Sequence, residues 1–386
     1  MRKFARKTSH VFRGCASFIG QAWIVVGLCI VMTVLIDKLI SLVIPPPKGF
    51  AIIDPYAIAG NHAQSDALKG VRWLSKYEAE RKKSKALRWE PYTYWRRSAF
   101  VGQHINVGHD GLRKTIGGRS DRAALQIWMF GGSTLWGTGS RDRDTIPSIV
   151  QQELDGRGIE ANVLNFGEAG YVSTQNVIAL LEELKRRPKP DLVVFYDGVN
   201  DVFSALQAGV AGLPQNEGNR VLEFNSSREA DKLMKIVSKR LFSVWSFRAH
   251  EPQEPDVGRL SLEAASTYAA NLRVVRAIAR DFDFHFVSVW QPTIFTKRYP
   301  SLSESAAVGV RQVAHRSLTA LTTASVIEGQ RANAGFLDLS GILDEERSSV
   351  YLDFCHVSGA GNRVIALAMV DFFRRRCEEC LTVSRG

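Results

Sequence analysis

The chain has 386 residues, 45% hydrophobic and 23% charged, the composition of an ordinary globular protein with one large core or two small ones. Its formal charge is +11, but residues 1–90 hold 15 Lys/Arg against 6 Asp/Glu, so nearly all of the surplus lies there. A body so close to neutral has no nucleic-acid footprint, and the basic terminal segment points instead to a membrane surface.

Arg2, Lys3, Arg6, Lys7 and Arg13 make residues 1–16 a basic, cytoplasmic tail. Ser17–Ile36 carries no charge, and as a helix it reaches roughly 30 Å, the thickness of a bilayer core. The expected transmembrane anchor runs over residues 17–44. Charges ahead of it favour a cytoplasmic amino terminus, with everything after it on the periplasmic or extracytoplasmic side. A cleavable signal has a shorter apolar core, whereas here Asp37-Lys38 and then Leu39–Ile44 follow, so an uncleaved anchor is the better reading. Pro45-Pro46-Pro47 ends any helix. Arg72, Lys76, Arg81, Lys82, Lys83, Lys85 and Arg88 make the far side basic too. Most lie beyond the distance that matters most for orientation, so they weaken that assignment without reversing it.

Residues 45–125 read as a linker and lead-in. Residues 70–90 suit a solvated or membrane-surface helix. Pro91-Tyr92-Thr93-Tyr94-Trp95 is aromatic, and 101–113 is rich in turn residues, a pattern expected to pack on the edge of a sheet.

From Gln126 the chain alternates strands with helices. Ile127–Phe130 is an apolar run of the kind buried on both faces, and it stops at Gly131-Gly132-Ser133. A helix is expected over Thr145–Leu154, a strand over Ala161–Phe166, a helix over Thr174–Arg187 and a strand over Asp191–Tyr196. Between about 208 and 260 the pattern dissolves into an insertion or lid. A helix over Leu262–Phe282, a strand over Phe284–Trp290, a helix over Ser305–Arg331, a strand over Phe336–Leu339 and a helix over Ala360–Arg376 complete the chain. The alternation predicts one α/β domain over 126–386 with a doubly wound parallel sheet.

In such a sheet the strand tips share one edge, which brings Ser133, Gly170 and Asn200 together. Asp353 and His356, three residues apart, can meet on one turn. A serine hydroxyl becomes a nucleophile when a histidine takes its proton and a carboxylate fixes the histidine's tautomer. The backbone N–H groups of Ser133 and Gly170 and the Asn200 amide then suit an oxyanion. Singly, Asn200 is an ordinary turn residue, His356 a structural histidine and Asp353 a helix-entry acid. Jointly and in order, they make a catalytic site.

Gly132-Ser133-Thr134, Gly170, Gly198-Val199-Asn200-Asp201 and Asp353-Phe354-Cys355-His356 resemble the four sequence blocks of the SGNH (GDSL-like) hydrolases, in that family's order. The resemblance implies a flavodoxin-like sheet and esterase chemistry. Ser133 would be the nucleophile, His356 the base and Asp353 its orienting acid, with Ser133, Gly170 and Asn200 as oxyanion hole. One departure is Gly132, where the family's motif has Asp. An α/β-hydrolase fits poorly, because Leu135 stands where its Gly-x-Ser-x-Gly needs the second Gly.

No metal or cofactor is expected. Cys377 and Cys380 form a Cys-x-x-Cys without a second pair, which suits a local disulfide or two ordinary thiols better than a zinc site. Trp136 and Trp290 lie near strand ends, where they either line a sugar cleft or pack in the core. The function expected is a membrane-anchored serine esterase that removes O-acyl groups from a cell-surface glycan or lipid-linked substrate. A glycan O-acyltransferase using the same serine and a non-catalytic glycan-binding subunit are the alternatives. The sequence leaves the acyl group and the oligomeric state open.

Overall fold

The computed structural model describes residues 23–36, 65–117, 124–221, 224, 256–308 and 313–376. The chain divides into two units, residues 1–51 with 232–253 and residues 52–231 with 254–386.

In the first unit the described residues form a helix over 23–36 whose apolar side chains, from Trp23 through Ile30 to Ile36, are exposed. The rest of the predicted 17–44 span lies outside the described residues. Among the described residues no helix is long and apolar enough to cross a membrane.

The second unit is built on a five-stranded parallel sheet. Its strands follow a lead-in made of helix α1 (Leu74–Lys83) and the short strands β1 (Leu87–Glu90), β2 (Tyr94–Arg97), β3 (Phe100–Val101) and β4 (Asn106–Val107). The sheet strands are β5 (Leu125–Gly131), β6 (Ala161–Asn165), β7 (Leu192–Asp197), β8 (His285–Trp290) and β9 (Phe336–Asp338). Their order is β6-β5-β7-β8-β9, all parallel, which is the flavodoxin-like arrangement.

The sheet is covered on both faces, and the two-residue period of a strand divides the core. Ile127 and Met129 of β5, with Leu192 and Val194 of β7, pack with α3 (Ile146–Gly156) and the last helix. Trp128, Phe130, Val193 and Phe195 face the opposite way, toward α4 (Ser173–Arg186) and α6 (Val257–Phe282). Each such side chain, fully buried, contributes about 1.5–3 kcal/mol. Both faces must be apolar, which is why β5 and β7 show no polar alternation.

Between these elements lie the one-turn α2 (Ser133–Trp136) and, after β7, α5 (Val199–Ala208). The lead-in meets the sheet at its edge through a bridge from Arg113 to Asn165 of β6.

Several boundaries differ from the sequence reading. Helix α6 starts at Val257 rather than Leu262, because the Asp256 side chain caps it by accepting from Arg259 N at 2.9 Å. The insertion therefore ends earlier than expected, and its residues 225–255 lie outside the described residues. The single helix predicted over Ser305–Arg331 contains α7 (Leu302–Val308) and α8 (Val313–Gln330), with residues 309–312 not described. Helix α9 (Gly359–Arg376) closes the described chain, and Cys377 and Cys380 lie beyond it.

Candidate active site

Strand β5 ends at Gly131, and Ser133 opens α2 at the carboxyl edge of the sheet. The turn is tight: a Cβ on Gly132 would stand 2.2 Å from Asn200 Nδ2. A side chain there would require the Asn200 amide to shift, and glycine leaves it in place beside the serine turn.

A buried arginine fixes the far end of α2. The Arg113 guanidinium donates to the carbonyls of Trp136, Gly137 and Ser140 at 3.1, 2.7 and 2.6 Å. It pairs with Asp142 at 3.0 Å and lies 4.2 Å from the Trp136 ring centre. Carbonyls left over at the end of a short helix are thereby satisfied.

The loop after β9 brings the remaining groups. Asp353 Oδ1 accepts from the backbone N–H of Cys355 and His356 at 2.9 and 2.7 Å, which curls the loop into one turn. Asp353 Oδ2 then meets His356 Nδ1 at 2.6 Å, and His356 Nε2 meets Ser133 Oγ at 2.8 Å. The three residues form one continuous hydrogen-bonded run, with Asp353 and His356 buried. The carboxylate accepts at Nδ1, so Nε2 is the acceptor facing the serine hydroxyl.

Opposite this run stand Gly170 and Asn200. Gly170 has φ of +80°, a left-handed conformation that suits glycine. Asn200 donates from Nδ2 to Tyr171 O at 2.8 Å, and the same nitrogen carries a second N–H. Together with Phe203, Gln215, Phe354 and Cys355, these residues enclose a cleft of about 30 Å³.

Gln215 is a site residue that the sequence reading missed. It lies in the insertion, is buried, and its Nε2 donates to Asn200 Oδ1 at 3.2 Å. That bond holds the amide with its nitrogen toward Ser133. A lone glutamine in a Pro- and Asn-rich loop gives no signal of such a role.

Trp136 and Trp290 do not line the cleft. Both are buried, Trp136 between Arg97 and Arg113, and Trp290 with its indole N–H on Thr323 Oγ1 at 3.1 Å. Asp353, Cys355 and His356 also offer three ligand atoms within 4.8 Å of one another. Burial pushes the Cys355 thiol up, and the neighbouring Asp353 carboxylate adds to it, while the Asp353 and His356 atoms are already bonded to each other. Cys355 therefore reads as a packing residue.

Behind Asn200, two aspartates are buried at the end of β7. Asp197 accepts from Asn176 at 2.7 Å, and Asp201 accepts from the Ser173 backbone N–H and hydroxyl. Burial raises both, Asp197 further through the charge of Asp201, and Asp201 sits at about 6. An acid raised on folding holds its proton more tightly when folded, so its effect is to lower stability as pH rises from about 4 to about 6. Asp201→Asn keeps an acceptor for Ser173 but cannot ionise. Its melting temperature relative to wild type is expected to climb across that window and level off above it. A pH-independent difference would show that Asp201 is not held protonated.

No protein-family model matches the chain, and no curated protein matches it. Among solved structures it is similar to a carbohydrate acetylesterase family member from Sinorhizobium meliloti, at 15% identity and a TM-score of 0.40, over 66% of this chain and 99% of that one. It is also similar to a catalytic mutant of an acetylxylan esterase from Geobacillus stearothermophilus, at 16% identity and a TM-score of 0.39, over 66% and 96% of the two chains. A protein of the G-D-S-L lipolytic family from Desulfitobacterium hafniense follows at 9% identity and 0.36, over 64% and 99%.

Proposed function

We propose that the protein is a serine esterase of the SGNH type that cleaves O-acyl esters, acetyl foremost, on a glycan outside the cytoplasm. The observation that carries the proposal is the Asp353–His356–Ser133 hydrogen-bond run, with the Asn200 amide across the same cleft.

In this reading Ser133 Oγ attacks the ester carbonyl while His356 Nε2 takes its proton. Asp353 stabilises the imidazolium, and the N–H groups of Ser133, Gly170 and Asn200 receive the oxyanion. Collapse expels the sugar oxygen, which takes the proton back from His356 and leaves an acyl group on Ser133. A water activated by His356 then hydrolyses the acyl-enzyme. Phe203 and Phe354 give the acyl group an apolar wall.

Membrane attachment through residues 17–44 belongs to the same proposal. It is supported by the exposed apolar side chains of the 23–36 helix and by the basic residues ahead of it. Transfer of the acyl group to a sugar hydroxyl is the second reading. It draws on Gln215, which lies in the cleft beside Asn200, where a side-chain amide can hold an acceptor hydroxyl.

The test is to treat the detergent-solubilised full chain with p-nitrophenyl acetate and with a fluorophosphonate. Nitrophenol release, and a phosphonyl adduct mapped by mass spectrometry to Ser133, are expected. Absence of both, or an adduct on another residue, would overturn the proposal.

A further inference from the structure

Among the described residues of the second unit, the most exposed aromatic side chains lie on one hairpin. Trp89 at the end of β1 is 68% exposed, and Tyr92 at the turn is 70% exposed. Tyr92 and Tyr94 both hold left-handed backbones, with φ of 66° and 76°. Bulky residues avoid that region, and where it occurs the surroundings must enforce it. Here Thr93, between the two tyrosines, is buried, and its carbonyl accepts from Gln175 Nε2 of α4 at 2.8 Å. The turn is pinned to the body of the domain, and its rings are pushed outward.

Beside Tyr92, the rings of Trp89, Tyr94 and Trp95 form a row that leads to the cleft. Trp89 and Tyr94 are 5.7 Å apart between centres, and Tyr94 and Trp95 are 6.5 Å apart. Trp95 donates its indole N–H to Ala169 O at 2.8 Å, and Ala169 and Gly170 line the cleft. From the other side Arg220 lies 4.5 Å from the Tyr94 ring centre and donates to the carbonyl of Gln215, itself a cleft residue. The polar groups beside the rings alternate in sign: Glu90 pairs with Arg88 and Arg186, and Glu217 with Arg220.

From this we infer that the β1–β2 hairpin is a carbohydrate-binding subsite that seats the glycan chain while one of its esters enters the cleft. The inference rests on the esterase reading for its purpose, but the subsite can be tested apart from it. A pyranose ring offers an apolar C–H face for an aromatic side chain and equatorial hydroxyls for carboxylate and guanidinium groups, and the row supplies both. A bilayer surface would call for cations without interleaved carboxylates.

The experiment compares the full chain with the Trp89→Ala/Tyr92→Ala variant, whose replaced side chains are exposed enough to leave the fold intact. Two substrates are used, p-nitrophenyl acetate and partly O-acetylated hexasaccharides of β-linked glucose, xylose and N-acetylglucosamine. Binding of the unacetylated hexasaccharides and of anionic phosphatidylglycerol vesicles is measured alongside. The small ester is expected to turn over unchanged, while kcat/KM on at least one acetylated hexasaccharide falls ~10-fold or more, mainly through KM, with a parallel loss of binding to its unacetylated form. Equal turnover of the acetylated hexasaccharides by both proteins would overturn the inference, as would binding of none of them or loss of vesicle binding alone. If neither protein hydrolyses any ester, the esterase reading fails, and hexasaccharide binding by the full chain against the variant still decides the subsite.

Discussion

Ser133→Ala is expected to lower kcat for p-nitrophenyl acetate by ~10⁴–10⁶-fold while leaving the melting temperature near that of the wild type. The magnitude follows from the proposed role of Ser133 as the nucleophile of a unit whose members act together. The stability expectation follows from what the hydroxyl contacts: its bond is to His356, in the wall of a solvent-reaching cleft. Asp353→Asn should cost ~10⁴-fold, because an amide facing Nδ1 favours the tautomer with the proton on the wrong nitrogen. The asparagine carbonyl can still accept the backbone N–H groups of Cys355 and His356, so the loop keeps its turn. Steady-state kinetics beside thermal melts separate the two effects. Retention of more than a tenth of the activity in Ser133→Ala would remove the serine from the mechanism.

The second large effect is on stability. Lys297 and Glu304 form an ion pair with side chains 0% and 1% exposed, at 2.9 Å. Glu304 also accepts from the backbone N–H of Ser301, Val350 and Tyr351 at 2.8, 2.9 and 3.0 Å. The last two lie just before Asp353, so one carboxylate anchors the loop that carries the acid and the base. Burial pushes Glu304 up, but Lys297 and the three N–H groups outweigh it and hold the carboxyl below its ordinary value. A depressed acid contributes stability that is present above its unfolded pKa and is lost as pH falls through the folded one.

Glu304→Ala leaves a buried ammonium and two loop N–H groups without their acceptor, and is expected to cost about 3–5 kcal/mol. Denaturant unfolding near neutral pH measures it. Lys297→Met with Glu304→Leu should recover a good part of the loss, since apolar groups need no partner, but not the activity, since the loop stays unanchored. A loss under about 1 kcal/mol in the single variant would mean that water reaches the pair.

What could be read in the sequence, and what could not, divides along the range of the interaction. β5 and β7 were legible because burial on two faces leaves an unbroken apolar run. Ser133, Asp353 and His356 were legible because glycines before the serine, and a three-residue spacing in the loop, constrain local geometry. Asn200 followed from its place after a strand.

Glu304 was not legible. Its bonds to Ser301, three residues back, follow the Ser-x-x-Glu pattern of a helix start, and Lys297 is seven residues away, but the loop N–H groups it anchors lie 46 and 47 residues off, where no local pattern reaches. Gln215 and Arg113 were missed for the same reason, since each acts on backbone or amide groups that only the fold brings near. Trp136 misled because a strand-end position is compatible with a cleft or a core. The choice was made by Arg97 and Arg113, whose guanidinium groups lie 4.5 and 4.2 Å from its ring centre.

Ser133 and His356 are 223 residues apart, with β6, β7, β8 and β9 laid down between them. At ribosomal speeds of ~5–20 residues per second, His356 follows Ser133 by roughly 10–45 s. A nascent chain therefore presents the serine turn long before anything can activate it. The sheet must also close by non-local pairing, which makes the last step of folding slow. In the proposed mechanism acyl transfer is thus gated by completion of the polypeptide, and a ribosome-stalled or prematurely terminated chain would carry an inert serine rather than a loosely controlled one.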